Sequence, residues 1–325
     1  EISWRVFGDY YKNLFRIINK LGCIDNFYTK HANDMCVSNG GGGAMRLIVT
    51  QNFEALNRTL KLLFLSKQRA ITEYHNISAK SYYNSKNMNI IMGPYAGIEP
   101  TKVTLSAFYK FIFAAYEKNN NDTYMITRFP TSDALFKPWA EYLIKKGVRI
   151  YEHHRMNNII TDSNGKINSV VVNNVNYDAD DIIFACSLKP LSSIFNANHY
   201  LKNTTISNKL NILRTGQQFY ISVNFYFKKP IIKSRDCHIY TFRDAWMPII
   251  LKRFIDTDYV DKNCNKHIKE VWNIGVADYI KGNYIKKYTS QCSFDEIVYE
   301  IKMNLIHSEY FKKYFDFKNN TWEDY

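Results

Sequence analysis

Few residues of this chain stand at spacings that could do chemistry unaided. The tract Gly40-Gly41-Gly42-Gly43 could wrap a phosphate with backbone N–H groups. A phosphate loop, however, needs Gly-Lys-Ser/Thr directly after a strand, and Ala44-Met45-Arg46 follows here, so the tract reads as a loop. His153-His154 offers two imidazoles, but neighbours on a strand point to opposite faces and cannot chelate one ion. Asp178, Asp180 and Asp181 could attract a divalent cation; just ahead of an apolar run they read as a solvated turn. The six cysteines, at 23, 36, 186, 237, 264 and 292, form no C-x-x-C and have no His pair at ligand spacing. That argues against zinc, and cysteines this sparse argue against a disulfide framework. Reduced thiols in a cytoplasm-like compartment are expected. With no G-x-S-x-G, H-E-x-x-H or G-x-G-x-x-G in the chain, residue chemistry nominates neither a metal site nor a catalytic side chain.

The elements that would position any site are easier to read. The 325 residues have room for two domains or one elaborate one. A hydrophobic share of 46% against 22% charged residues excludes a disordered or collagen-like chain and supplies a real core. The aromatic share of 16% reads as compositional bias, since Asn and Lys are abundant too. Net charge is +13, but the 43 basic residues are scattered, with no run of five. No nucleic-acid partner is expected from that distribution. It allows peripheral attachment to an anionic membrane without demanding it. No apolar stretch approaches the roughly 18 residues of a membrane span, for Leu60–Leu65 and Phe108–Tyr116 both contain Lys. Glu1 opens the sequence, so a processed or partial chain is expected.

Apolar residues from Val6 to Leu21 recur at helical spacing, and Gly22 is the stop signal. Further helices are expected over Phe53–Phe64 and Thr104–Lys118, with a break at Asn119-Asn120-Asn121-Asp122. Thr131 or Ser132 can cap a helix carrying Leu135, Phe136, Trp139, Leu143 and Ile144, with Pro138 near its start and Gly147 at its end. Val148–Tyr151 reads as a short strand. An extended piece ending at Ile159-Ile160 turns at Asp162-Ser163-Asn164-Gly165 into Ile167–Val172. Ile182-Ile183-Phe184-Ala185-Cys186 reads as a strand buried on both faces of a parallel sheet. Phe219–Phe227 alternates with period two, the mark of a half-buried antiparallel strand. Strands are also expected at His238–Phe242, Trp246–Leu251 and Glu270–Ala277, and Ser293-Phe294-Asp295-Glu296 is a capping box opening a helix through Leu305.

Three stretches carry a family resemblance. Glu1-Ile2-Ser3-Trp4-Arg5-Val6-Phe7, continuing to Tyr11 and Asn13, resembles the segment after the nucleotide-binding motif in plant-type carotenoid desaturases. Pro130-Thr131, then Pro138-Trp139, Tyr142-Leu143 and Gly147-Val148 are similar to the desaturase pattern P-T-x-x-x-x-x-P-W-x-x-Y-L-x-x-x-G-V. Ile167–Val172 followed by Ala179-Asp180-Asp181-Ile182-Ile183-Phe184-Ala185 resembles a block shared by the FAD-dependent amine oxidase and phytoene desaturase superfamily.

The resemblance implies an α/β protein of mixed elements. It would hold part of an FAD-binding Rossmann-like lobe and a substrate lobe of antiparallel sheet with helices. Residues 1–130 would be largely helical substrate lobe, 131–190 flavin lobe, and 191–325 substrate lobe with a helix near 293–310. The implied activity is hydride transfer from a C–H or C–N bond of a small apolar or amine substrate to FAD, the cofactor doing the electron chemistry. By the same resemblance Met156 meets the adenine through its backbone, and Glu1, Arg5, Ala185 and Cys186 lie near the cofactor. The catalytic side chain is left open. The dinucleotide glycine motif and the Gly-Asp flavin motif are expected beyond Glu1 and Tyr325, so these residues alone are not expected to hold FAD tightly. The rival reading is a non-catalytic binding or structural module that keeps the flavoprotein architecture.

Overall fold

The computed structural model describes residues 6–8, 11–31, 35–37, 53–83, 99, 101–116, 123–128, 130–216, 220–231, 239–241, 246, 249–254, 267–308, 311, 312, 314, 315 and 322. The chain is of mixed helix and sheet, and it divides into two compact units: residues 1–142 with 218–325, and residues 143–217.

In the first unit, β1 (Val6–Gly8), α1 (Lys12–Leu21) and β2 (Phe27–His31) open the chain, followed by β3 (Met35–Val37). The helical spacing from Val6 to Leu21 is therefore split. Val6–Gly8 pairs antiparallel with β4 (Thr123–Thr127), a partner more than a hundred residues away that local spacing cannot reveal. Gly22 ends α1 as expected, in the left-handed region at φ 67°. Sheet order is β1-β4-β2, and Phe7 meets Phe27 edge-on at 5.9 Å above the fully buried Ile18.

Helices α2 (Phe53–Leu63), α3 (Lys67–Glu73), α4 (Ala79–Tyr83) and α5 (Leu105–Tyr116) follow. Tyr83 of α4 stands edge-on to Phe108 of α5 at 5.6 Å, and Leu105 and Phe108 are fully buried. Next, a π-helical turn at Ser132–Phe136 runs into α6 (Lys137–Lys145). Pro138 explains the wide turn: it has no N–H for the carbonyl of Ala134 four residues back. The Asn26 amide donates to that carbonyl at 3.0 Å instead.

The second unit holds an antiparallel meander, β5 (Met156–Thr161), β6 (Ile167–Val172) and β7 (Val175–Asp178). Gly165, at φ 81°, supplies the turn between β5 and β6. Helices α7 (Leu188–Ala197) and α8 (Thr205–Thr215) pack with it around Ile159, Ile194, Phe195, Leu201 and Leu210. Two expected strands are absent from it. Val148–Tyr151 is irregular and exposed. Ile182–Cys186 enters no ladder among the described residues, and Ile183 is 90% exposed. Only Phe184 turns to the core, edge-on to Phe195 at 5.9 Å. An apolar run marks a buried strand only where partner strands lie on both sides, and no described strand flanks this one.

The first unit resumes with β8 (Tyr220–Phe227), β9 (Ile239–Thr241), β10 (Ile249–Phe254), β11 (Glu270–Ala277) and α9 (Phe294–His307). Sheet order is β3-β9-β10-β11-β8, antiparallel except for the β3–β9 pair. One face presents Val223, Phe227, Trp272, Ile274 and Val276 to Ile297, Ile301 and Leu305 of α9. Trp272 is fully buried there. The capping box at Ser293 and Glu296 starts α9 as the sequence requires.

Candidate functional site

The face of the large sheet turned away from α9 is the polar one. The period-two pattern of β8 sends Ile221, Val223, Phe225 and Phe227 to the helix and leaves Tyr220, Ser222, Asn224 and Tyr226 on the other side. On β11 the register places Ala277, Gly275, Asn273 and Val271 opposite them. The buried Asn273 amide donates to Ser222 Oγ at 2.8 Å and to Asn224 Oδ1 at 2.6 Å, tying a neutral polar strip across the two strands.

At one end of the strip the Tyr220 phenol reaches diagonally onto Gly275, where a Cβ would overlap its hydroxyl. Burial alone pushes this phenol up to about 12. The residue as a whole still exposes 38% of its surface, and the hydroxyl packed on Gly275 is its buried end. Tyr279, two residues past β11, is also held protonated, by burial first and then by the neighbouring Glu99 carboxylate and Tyr220 phenol. Glu99 in turn lies 3.7 Å from the Lys102 ammonium.

Trp246 lies beside the same end of β11, its side chain in the core on the α9 face. It is 1% exposed yet left-handed at φ 62°, a costly conformation for a bulky side chain. Three contacts hold it: the apolar core, its indole N–H donating to the Lys287 carbonyl at 3.1 Å, and its own carbonyl accepting the Ala277 N–H at 3.1 Å. The loop carrying Tyr279 is fixed as well. Asp278 accepts from Thr289 Oγ1 and the Ser290 N–H, each at 2.8 Å, and Gly282 N–H donates to the Lys287 carbonyl at 2.9 Å.

The residues named by the family resemblance divide as follows. Glu1 and Arg5 lie outside the described residues. Met156 opens β5 and rests half-buried on the small core of the second unit, the same core that receives Phe184. Ala185 and Cys186 are exposed, just before Ser187, which precedes α7. The backbone N–H and C=O groups of 182–186 have no hydrogen-bonding partner among the described residues.

Sequence reasoning missed the Tyr220–Gly275 contact and the approach of Glu99 and Tyr279. The period-two pattern of β8 did place Tyr220 on the polar face, but its partner strand lies some fifty residues on. Among the described residues, no group of three or more His, Cys, Asp or Glu could hold a metal ion, and no helix is long and apolar enough to cross a membrane.

No family model matches the chain, and no curated protein matches its sequence. Its fold is similar to that of an oxidoreductase from Methanosarcina mazei, with a TM-score of 0.56 and 10% identity, over 90% of this chain and 68% of that one. A likeness at that identity speaks for the fold.

Proposed function

We propose that this chain belongs to a flavin-dependent oxidoreductase that removes hydride from a C–H or C–N bond of a small organic substrate. The single observation that carries the reading is the fold likeness to an oxidoreductase over 90% of the chain. The desaturase-like motifs at Pro130–Val148 and Ile167–Ala185 point the same way and add the flavin.

The segment 182–186 supports that reading. Segment 182–186 carries no charge, its backbone polar groups have no partner among the described residues, and Ala185 and Cys186 are small enough to admit a ligand to the backbone. Met156 rests on the same core as Phe184. In this proposal the backbone at Met156, Ala185 and Cys186 holds FAD, and Glu1 and Arg5 lie near it. Bound there, FAD supplies the two-electron acceptor. Any membrane contact would be peripheral, made by scattered basic residues.

Protein expressed from its complete reading frame tests this. Purified protein should show the visible flavin spectrum, or acquire it on titration with FAD. Ala185→Trp and Cys186→Trp should weaken that binding at least tenfold by covering the backbone. A colourless protein indifferent to added FAD sinks the proposal and leaves the non-catalytic module.

A further inference from the structure

Helix α8 wears its apolar side chains on the outside. Its buried residues are Ser207 and Leu210, with the half-buried Asn211 beside them. Its large aliphatic side chains Ile206, Ile212 and Leu213 are instead 61%, 71% and 56% exposed. The rotation of the helix is fixed from behind. Ser207 Oγ donates to Asn196 Oδ1 at 2.7 Å, and Asn211 Oδ1 accepts from the Asn196 amide at 2.8 Å and from Ser192 Oγ at 2.7 Å. Leu210 enters the core of the second unit. Turning the aliphatic side chains inward would break that network, so the fold holds them outside. At about 3.6 residues per turn, Ile206, Lys209, Ile212 and Leu213 share roughly a third of the helix circumference.

The charge around this stripe has one sign. Residues 182–216 contain no Asp or Glu and carry Lys189, Lys202, Lys209 and Arg214. All four are exposed, and none makes an ion pair among the described residues. The occupant of the stripe must therefore take up aliphatic side chains and carry negative charge. A nucleic acid answers the charge but leaves the aliphatic side chains in water. A second copy answers the aliphatic side chains, but a two-fold contact through α8 would set Lys209, near the middle of the helix, against its own counterpart. A protein partner would need an acidic groove matched to a convex helix, whereas a bilayer needs no matching shape. The interface of an anionic bilayer takes up apolar side chains, and its headgroups receive a lysine that snorkels between them.

We propose that α8 is a membrane-contact helix that lies in the plane of an anionic bilayer surface. Ile206, Ile212 and Leu213 enter the headgroup boundary, and Lys209 meets the lipid phosphates. So few side chains make a weak, reversible and salt-sensitive attachment. The inference does not rest on the flavin reading, and it gives a peripheral contact a definite place.

Sedimentation of the full-length protein with vesicles tests it, using phosphatidylcholine alone or with about a third phosphatidylserine. Only the anionic vesicles should carry the protein down. Affinity should fall about tenfold or more as salt rises from roughly 0.05 to 0.5 M. Ile212→Ser with Leu213→Ser should weaken binding about tenfold, and Lys209→Glu by about the same or more. Lys12→Glu, an equal change of net charge on α1, should cost less than about twofold. These positions are all exposed, and unchanged thermal unfolding verifies that each variant folds. Equal binding to neutral vesicles, no binding at low salt, or binding that both α8 variants leave unchanged each overturns the proposal. Dimers that Leu213→Ser dissolves, without vesicle binding, would assign the stripe to a second copy and overturn it too. Vesicle binding needs no flavin, so loss of the flavin reading registers separately in the FAD titration.

Discussion

The Glu300 carboxylate occupies the space that a Cβ on Gly282 would need: built there, the carbon would lie 2.7 Å from the carboxyl carbon. Glu300 is fully buried in α9 and accepts the N–H groups of Tyr284 at 2.9 Å and Ile285 at 2.8 Å, with Asn283 N–H and the Asn304 amide completing its shell. A carboxylate from one helix thereby shapes the loop that carries Tyr279.

Gly282→Ala should destabilise the first unit by about 1–3 kcal/mol, because the methyl must displace a carboxylate held by several donors. Glu300→Gln should cost a similar ~1.5–3 kcal/mol, since an amide NH2 would face backbone donors. Urea midpoints report both. A neutral Gly282→Ala would show that the loop can move away from α9.

Gly275→Ala should also destabilise, by about 1–3 kcal/mol, because the new methyl overlaps the Tyr220 hydroxyl. Tyr220→Ala should relieve the clash, so the double variant should be less unstable than the two single costs added. The coupling energy of the cycle is the measurement, and additivity would place the ring elsewhere.

Ser293→Ala removes the acceptor for the Glu296 N–H at 3.2 Å and should cost about 0.5–2 kcal/mol, while Ser293→Gly should cost only a few tenths. Thermal unfolding of the two variants gives the ranking, and the reverse order would mean that the cap does not stabilise α9.

Between α7 and α8, the Asn196 amide donates to Asn211 Oδ1 at 2.8 Å and the Asn211 amide returns to Asn196 Oδ1 at 3.2 Å. Ser192 and Ser207 donate into the same pair at 2.7 Å each. Asn196→Ala should cost about 1–3 kcal/mol, because three partners lose their hydrogen bonds at once. Asn196→Leu with Asn211→Leu should recover part of it. Chemical denaturation of the second unit's spectroscopic signal would expose a failure to recover.

Alkaline pH should unfold the helical region around Tyr83. Burial first, and the Tyr82 phenol after it, lift the Tyr83 phenol to about 12, against the lowering effect of its hydrogen bond from Thr59. The folded pKa exceeds the unfolded value of 10.0. Between pH 10 and 12 the folded state therefore binds more protons, and stability falls as pH rises. The contribution is fully present below pH 10 and amounts to roughly 2–3 kcal/mol lost by pH 12. Tyr83→Phe should flatten that slope, as read by urea midpoints from pH 9 upward; an unchanged slope would assign the loss to other groups.

Local signals survived folding intact. The Gly22 stop, the Gly165 turn, the Ser293–Glu296 box and the alternation of β8 each depend on a few adjacent residues, so their chemistry is complete in the sequence. The same alternation already separated a core face from a polar face. What folding in three dimensions decided was partnership. Val6–Gly8 left its helical pattern because Thr123–Thr127 offered a ladder, while Ile182–Cys186 stayed unpaired because no described strand lies beside it. Tyr220 became a buried donor only when β11 brought a glycine beneath its ring, and Trp246 kept a strained backbone only because a core and two distant hydrogen bonds hold it. Hydrogen-bond partners and burial are properties of chains brought together across long separations, and single-residue preferences, a few tenths of a kcal/mol to about one, are too small to encode them.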